Sequence, residues 1–193
     1  MAMPVIPEAR RYSVAEVLAY PADGNRYEVV AGELLVTPSP AWGHQLLASR
    51  LMAHLLEYLK PLGLADTLLF SPADITWGKD PRDADDLVQP DLFVIPRGER
   101  IASWRDVRTL ELAVEILSPG SSHPDRVVKR KTYQRHQVAT YWVVDPEARL
   151  VEVWGPDDER PAIATELLTW RLHAGAPELE IPLQQLFAPP QTG

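Results

Sequence analysis

The sequence predicts a mixed α/β domain, and three observations predict it. Apolar runs of strand length recur at residues 67–77, 87–95, 107–117, 140–145 and 150–154. Two stretches with helical spacing, 44–59 and 122–136, are interleaved with these runs rather than segregated from them. A hairpin signal over residues 26–36 precedes them all.

In chain order, residues 13–20 read as a short helix, with Ser13 as N-cap and Glu16 closing a capping box. The hairpin turns at Ala31-Gly32, where the glycine can take a positive φ. Pro38-Ser-Pro40 breaks it. In the long helix Leu47, Leu51, Leu55 and Leu59 repeat at helical spacing, and Pro61 stops it. Pro90 cannot donate a ladder hydrogen bond, so the strand at 87–95 should start, bulge or lie at an edge near Asp91. Between these strands, residues 79–86 read as a solvated loop. The second helix carries Pro124 near its first turn and Asp125 in capping-box register with Ser122. Residues 140–145 and 150–154 flank a turn at Pro146-Glu-Ala-Arg149 as a second hairpin. Beyond Gly155 the pattern is weak, and residues 188–193 read as a frayed tail. No repeat or linker divides the chain, so residues 1–193 are expected to form one domain.

Composition excludes several classes. There is no cysteine, which removes disulfides, thiolate metal sites and cysteine nucleophiles. No apolar run approaches the roughly 20 residues of a membrane helix, and residues 1–10 lack the apolar core of a signal peptide. A cytoplasmic protein without a membrane partner is the expectation. The formal charge of −8 opposes a broad basic surface, so nucleic-acid contact would fall to a local patch: Arg126, Lys129, Arg130, Lys131 and Arg135. The competing reading of that patch is a solvated helix face. No zinc spacing surrounds the histidines, and no phosphate-binding glycine loop or nucleophile elbow occurs. The six tryptophans read mostly as core or interface residues.

Chemistry concentrates in residues 88–133. Glu115 lies inside the apolar run 112–117, where a carboxylate is costly unless it is paired or metal-bound. Asp91 likewise precedes an apolar run. On neighbouring strands the two could share one hard cation, with waters and substrate phosphate completing the sphere, which suits Mg²⁺ or Mn²⁺. Asp125, Lys129 and Tyr133 fall on one helical stripe. Lys129 on that stripe could orient a water or offset phosphate charge; the bland alternative is an exposed Asp125–Lys129 helix pair.

The order of these motifs resembles the Uma-type family, described as "putative restriction endonucleases", within the PD-(D/E)XK nuclease superfamily. The residues that carry the resemblance are Arg26-Tyr-Glu-Val-Val-Ala-Gly-Glu-Leu34, Pro38-Ser-Pro40, His44, Val88-Gln-Pro-Asp91, Val114-Glu-Ile-Leu-Ser-Pro119, Asp125-x-x-x-Lys129-x-x-x-Tyr133 and Val138-x-x-Tyr-Trp-Val-Val-Asp-Pro146. They span about residues 12–155 and leave 156–193 as a C-terminal extension. The resemblance implies a restriction-endonuclease-like core, a central mixed sheet flanked by helices. It also implies a metal-dependent endonuclease acting on DNA. Matched by position, Asp91 and Glu115 would be catalytic metal ligands. Leu117 stands where the superfamily has lysine, and Lys129 fits a lysine displaced onto the next helix, with Lys131 behind it. Glu33, ranked above Glu28, would add an upstream carboxylate, and His44 a proton shuttle or supporting group. Asp74 is expected to face solvent. Arg126, Lys131 and Tyr133 would position substrate. Double-strand cutting would imply a homodimer. The competing readings are a catalytically inactive nuclease fold kept for binding or assembly, and a nuclease directed at RNA.

Overall fold

The computed structural model describes residues 10–77, 80, 82, 84–98, 101–118 and 124–189. A short helix α1 (Val14–Val17) leads into a hairpin of β1 (Arg26–Val30) and β2 (Glu33–Thr37). Ser13 caps α1 as expected, accepting from the Glu16 N–H at 3.2 Å. The Glu16 carboxylate does not close the box; it pairs with Arg10 instead. Ala31 and Gly32 both take positive φ, +50° and +81°, which gives the two-residue turn whose twist suits a hairpin.

Helix α2 (Trp42–Leu59) follows and buries Leu47, Leu51, Leu55 and Leu59. Then come β3 (Leu68–Phe70), β4 (Leu92–Val94) and β5 (Leu112–Ile116). A π-helical turn (Pro124–Lys129) runs into α3 (Arg130–Arg135). Ser122, expected to cap this helix, lies outside the described residues. β6 (Tyr141–Asp145), β7 (Leu150–Trp154) and β8 (Ala162–Ala164) complete a six-stranded sheet in the order β3-β4-β5-β6-β7-β8. Among the described residues only the β5–β6 pair is parallel, and the π turn and α3 lie in its crossover.

Two expected strands are shorter in the structure. β4 begins only after Pro90, and Leu87 and Val88 make single bridges to Val29 and Ile75. After β3, Pro72 likewise ends the ladder.

Alternate residues of the sheet feed two cores. Leu92, Val94, Leu112, Val114, Ile116, Trp142 and Val144 face α2. Phe93, Ala113, Leu117, Tyr141 and Val143 face the opposite side, with Tyr133 of α3 and Val30 and Leu35 of the hairpin. The segment after Gly155, weakly patterned in sequence, is structured. β9 (Leu167–Trp170) pairs with β10 (Leu179–Pro182), and α4 (Leu183–Leu186) follows. Leu168, Trp170, Ile181, Leu183 and Leu186 join the α2 core. The expected tail at 188–193 is described only through Pro189.

Candidate active site

Asp91 stands one residue before β4, and Glu115 is the fourth residue of β5. The antiparallel register pairs Leu92 with Val114, so its next step sets Asp91 opposite Glu115, at the carboxyl end of the parallel β5–β6 pair. The Ile116 N–H donates to Asp91 Oδ2 at 2.9 Å and ties the aspartate to that strand. β1 contributes Arg26 and Glu28 from one face, and α2 contributes His44 from its first turn.

Asp91 is held on three sides. Arg26 Nη1 donates to Oδ1 at 2.8 Å, and His44 Nε2 lies 3.0 Å from Oδ2 beside the Ile116 N–H. Burial would raise this carboxyl, but the His44 hydrogen bond, the positive charge of Arg26 and the Ile116 N–H outweigh it and hold Asp91 at about 2. Behind it, Lys129 Nζ lies 2.8 Å from Glu28 Oε2, 3.1 Å from Glu115 Oε1 and 3.3 Å from Asp125 Oδ1. Tyr133 donates its hydroxyl to Glu115 Oε1 at 2.8 Å. The Gln89 N–H donates to Glu28 Oε1 at 2.7 Å, and its side-chain amide donates to Asp74 Oδ1 at 2.8 Å.

Charge does not balance in this cluster. Glu28, Asp91, Glu115 and Asp125 are buried, and among the described residues Arg26 and Lys129 are the permanent cations paired with them, an excess of two negative charges when all four are ionised. Burial would push Lys129 down, but Glu115, Glu28 and Asp125 hold it charged and well above the ordinary lysine value. The excess falls on Glu115. Burial first, then the carboxylates of Asp125, Asp91 and Glu28, push it up against the pull of Lys129. Burial likewise raises the Tyr133 phenol, which stays a neutral donor.

A hard divalent cation fits the donor chemistry. The oxygens are carboxylates, the excess charge is two if all four are ionised, and among the described residues buried Glu28 Oε2 meets the Lys129 ammonium at 2.8 Å without an aligned hydrogen bond. Among the described residues no group of three or more acidic or histidine side chains is placed so that it could hold a metal ion by itself. The fit is therefore to a site of few carboxylates completed by water and phosphate, a common form for Mg²⁺.

The structure brings Asp91, Glu115, Lys129 and His44 together and does not bring Glu33. Glu33 is exposed beside the hairpin turn, opposite Val30, whereas Glu28 sits two residues deeper and is fully buried. The upstream carboxylate at the cluster is thus Glu28. Tyr133 lies beneath Glu115, out of reach of a substrate. Arg126 is engaged by Asp145 and Glu152, pinning the π turn to the end of β6 and the middle of β7. Lys131 is exposed on α3. Asp125 and Lys129 are buried, which excludes the exposed helix pair. Asp86, expected in a solvated loop, is also buried and accepts from the Ala31 N–H. Asp74, expected to face solvent, is half-buried against Gln89.

Arg26 was not singled out by sequence, although it shares a strand face with Glu28. That face was legible: a two-residue turn sets Glu28 opposite apolar Leu35.

The sequence matches the Uma2 family model, described as "Putative restriction endonuclease", over residues 14–184. The chain belongs to the Uma2 family. No protein with curated function matches it. The Uma2 fold also recurs in a crystal structure of a "putative nuclease belonging to DUF820" from Anabaena variabilis. That structure is 20% identical with a TM-score of 0.74, covering 92% of this chain and 98% of the other. At that identity the likeness establishes the fold: a central mixed sheet flanked by helices. Among the described residues no helix is long and apolar enough to cross a membrane.

Proposed function

We propose that this chain is a metal-dependent endonuclease that hydrolyses DNA phosphodiester bonds. The observation that carries the reading is the buried cluster itself. Asp91 and Glu115 stand opposite one another on adjoining strands, with a lysine at 3.1 Å from Glu115 and an excess of negative charge. Such a cluster is costly to bury without a compensating cation. Leu117 occupies the position where related nucleases carry lysine, and the Lys129 ammonium reaches the cluster from the following helix.

Mg²⁺ or Mn²⁺, held by Asp91 and Glu115, would supply Lewis-acid activation of a water and neutralise charge on the phosphate. Arg26 and His44 fix the Asp91 carboxylate and keep it ionised. Tyr133 fixes Glu115 through its hydroxyl. Lys129, buried and held by three carboxylates, acts through them: it offsets part of the negative charge that the cluster presents to the phosphate as water oxygen bonds to phosphorus and the leaving oxygen departs. Glu28 holds the Lys129 ammonium in place from the hairpin side.

The test is cleavage of supercoiled plasmid with Mg²⁺ or Mn²⁺, comparing wild type with Asp91→Asn and Glu115→Gln. Metal-dependent cutting lost in both variants supports the reading. Cutting that survives in Asp91→Asn removes the aspartate from the mechanism and sinks it.

A further inference from the structure

Beside Asp91 lies a cleft of about 470 Å³, within the ~300–1,000 Å³ of pockets that enclose a small organic molecule. Arg26, His44 and Asp91 are among its lining residues, so it borders the cluster at the proposed metal ligand. Much of the remaining wall is apolar: Met52 from α2, Phe70 from β3, and Pro72 and Leu92. Gln45 and Ser49 add uncharged polar groups from the same helix.

Phe70 has an unusual place in this wall. It is the last residue of the edge strand β3 and pairs with Leu92, the neighbour of Asp91. The Ser71 N–H then donates to the Asp91 carbonyl at 3.3 Å, fixing the aromatic residue against the site. Yet the side chain is 58% exposed, where a large apolar residue gains little from folding. Trp42, 66% exposed, continues the Gln45–Ser49–Met52 stripe of α2 at the helix start.

Electrostatics decide what such a cleft suits. The chain carries a net charge of −8. The cations bordering the cluster are engaged: Arg26 by Asp91, Lys129 by three carboxylates, and Arg126 by Asp145 and Glu152. Gripping a duplex through its phosphates needs available positive charge. Stacking an unpaired base on an aromatic face does not, and it tolerates any base.

We infer that the cleft beside Asp91 binds an unpaired nucleobase of the strand to be cut, stacked on Phe70. The inference rests on the nuclease reading and narrows its substrate to single strands, or to duplexes with an extruded or unpaired base. Gln45 and Ser49 offer hydrogen bonds to the base edge, and Trp42 meets the next base along the strand.

The experiment uses the full chain with Ca²⁺ in place of Mg²⁺, so that binding is read without cutting. The probe is a short single strand carrying 2-aminopurine, whose fluorescence is quenched by stacking. It is prepared as DNA and as RNA and compared with the same strand bearing an abasic site and with its blunt duplex. Tight binding of the intact single strand with quenching is expected, weakened about tenfold or more in Phe70→Ala. Ser49→Trp, which fills the cleft, should act likewise, and Phe70→Tyr should keep the quenching. Whichever sugar gives the quenched complex identifies the nucleic acid. Equal binding of the abasic strand, or quenching unchanged in Phe70→Ala, overturns the inference. Metal-dependent plasmid cutting in the latter case leaves the nuclease reading standing alone. Base-dependent quenching by a protein that cuts nothing supports the cleft and removes the nuclease reading.

Discussion

At Glu115 the charge imbalance of the cluster becomes a stability effect. Its folded pKa is raised, so the folded state binds this proton more tightly than the unfolded chain does. The stability contributed is present below the ordinary glutamate value and is lost as pH rises toward the folded value. Raising the pH toward neutrality therefore costs the folded state stability, because ionising this buried carboxyl is harder there than in the unfolded chain. Glu115→Gln is expected to melt higher than wild type at neutral pH while losing metal-dependent cutting. The gain should vanish as pH falls well below the ordinary glutamate value of about 4.3, where the carboxyl is protonated in both states. A lower melting temperature for Glu115→Gln at neutral pH would show that its pairing with Lys129 and Tyr133 outweighs the excess charge. Asp91 has the opposite sign. Held at about 2 against an ordinary value of 3.8, it stabilises the fold by about 2 kcal/mol above pH 4. That contribution fades as pH falls through 2. Urea titrations should show Asp91→Asn less stable than wild type by about that amount at neutral pH, with the deficit closing on acidification. A deficit independent of pH would assign the loss to packing instead.

The π turn governs the site at the scale of elements. Its wider coil carries Asp125 and Lys129 into the cluster before α3 resumes regular winding and carries Tyr133 beneath Glu115. Such turns often mark places where a helix serves a functional site. Removing the cation from this element leaves buried carboxylates uncompensated, so Lys129→Met should cost about 3–5 kcal/mol. Adding Glu28→Gln should recover part of that loss in a double-mutant cycle by chemical denaturation. Additive losses would mean that the Lys129–Glu28 pair contributes nothing beyond packing. Activity lost in Lys129→Met is consequently no proof of a chemical role without this stability measurement. The sequence made the hairpin turn, the long helix and β5 legible, because each has a local cause: Ala31-Gly32, the leucine repeat and an apolar run interrupted only by Glu115. It also marked Asp91, Glu115 and Lys129. It did not disclose the π turn, because one widened coil leaves the residue spacing 125, 129, 133 looking like an ordinary helical stripe. Nor did it separate Glu28 from Glu33, since both belong to one hairpin and only their distance from the turn tells buried from exposed.

Across the whole molecule, the segment after Gly155 is part of the architecture. Its strands are three or four residues long, too short for alternation to stand out, and their value lies in what they cover. Trp170 packs on Tyr58 of α2 at 5.6 Å and on Trp142 of β6 at 6.0 Å, and donates to Thr140 at 3.2 Å. Tyr58 donates to the Pro177 carbonyl at 2.9 Å, and Arg50 to that of Leu186 at 2.8 Å. Burying a large apolar side chain contributes about 1.5–3 kcal/mol. Losing Leu168, Trp170, Ile181, Leu183 and Leu186 together would therefore remove stability comparable with the whole ~5–15 kcal/mol margin of a domain. A chain ending at Gly155 should lose its near-ultraviolet circular dichroism and bind a hydrophobic dye, even though the cluster residues from Arg26 to Tyr133 are all retained. Full cooperative unfolding of that shortened chain would show that the α2 face is stable without its cover. The same global view sets the salt dependence of nucleic-acid binding. In an acidic protein whose site cations are engaged by its own carboxylates, few counterions are released on binding. The slope of log affinity against log salt should be shallower than about −3. A steeper slope, measured by anisotropy over a salt series, would reveal a basic contact surface and return duplex phosphates to the centre of recognition.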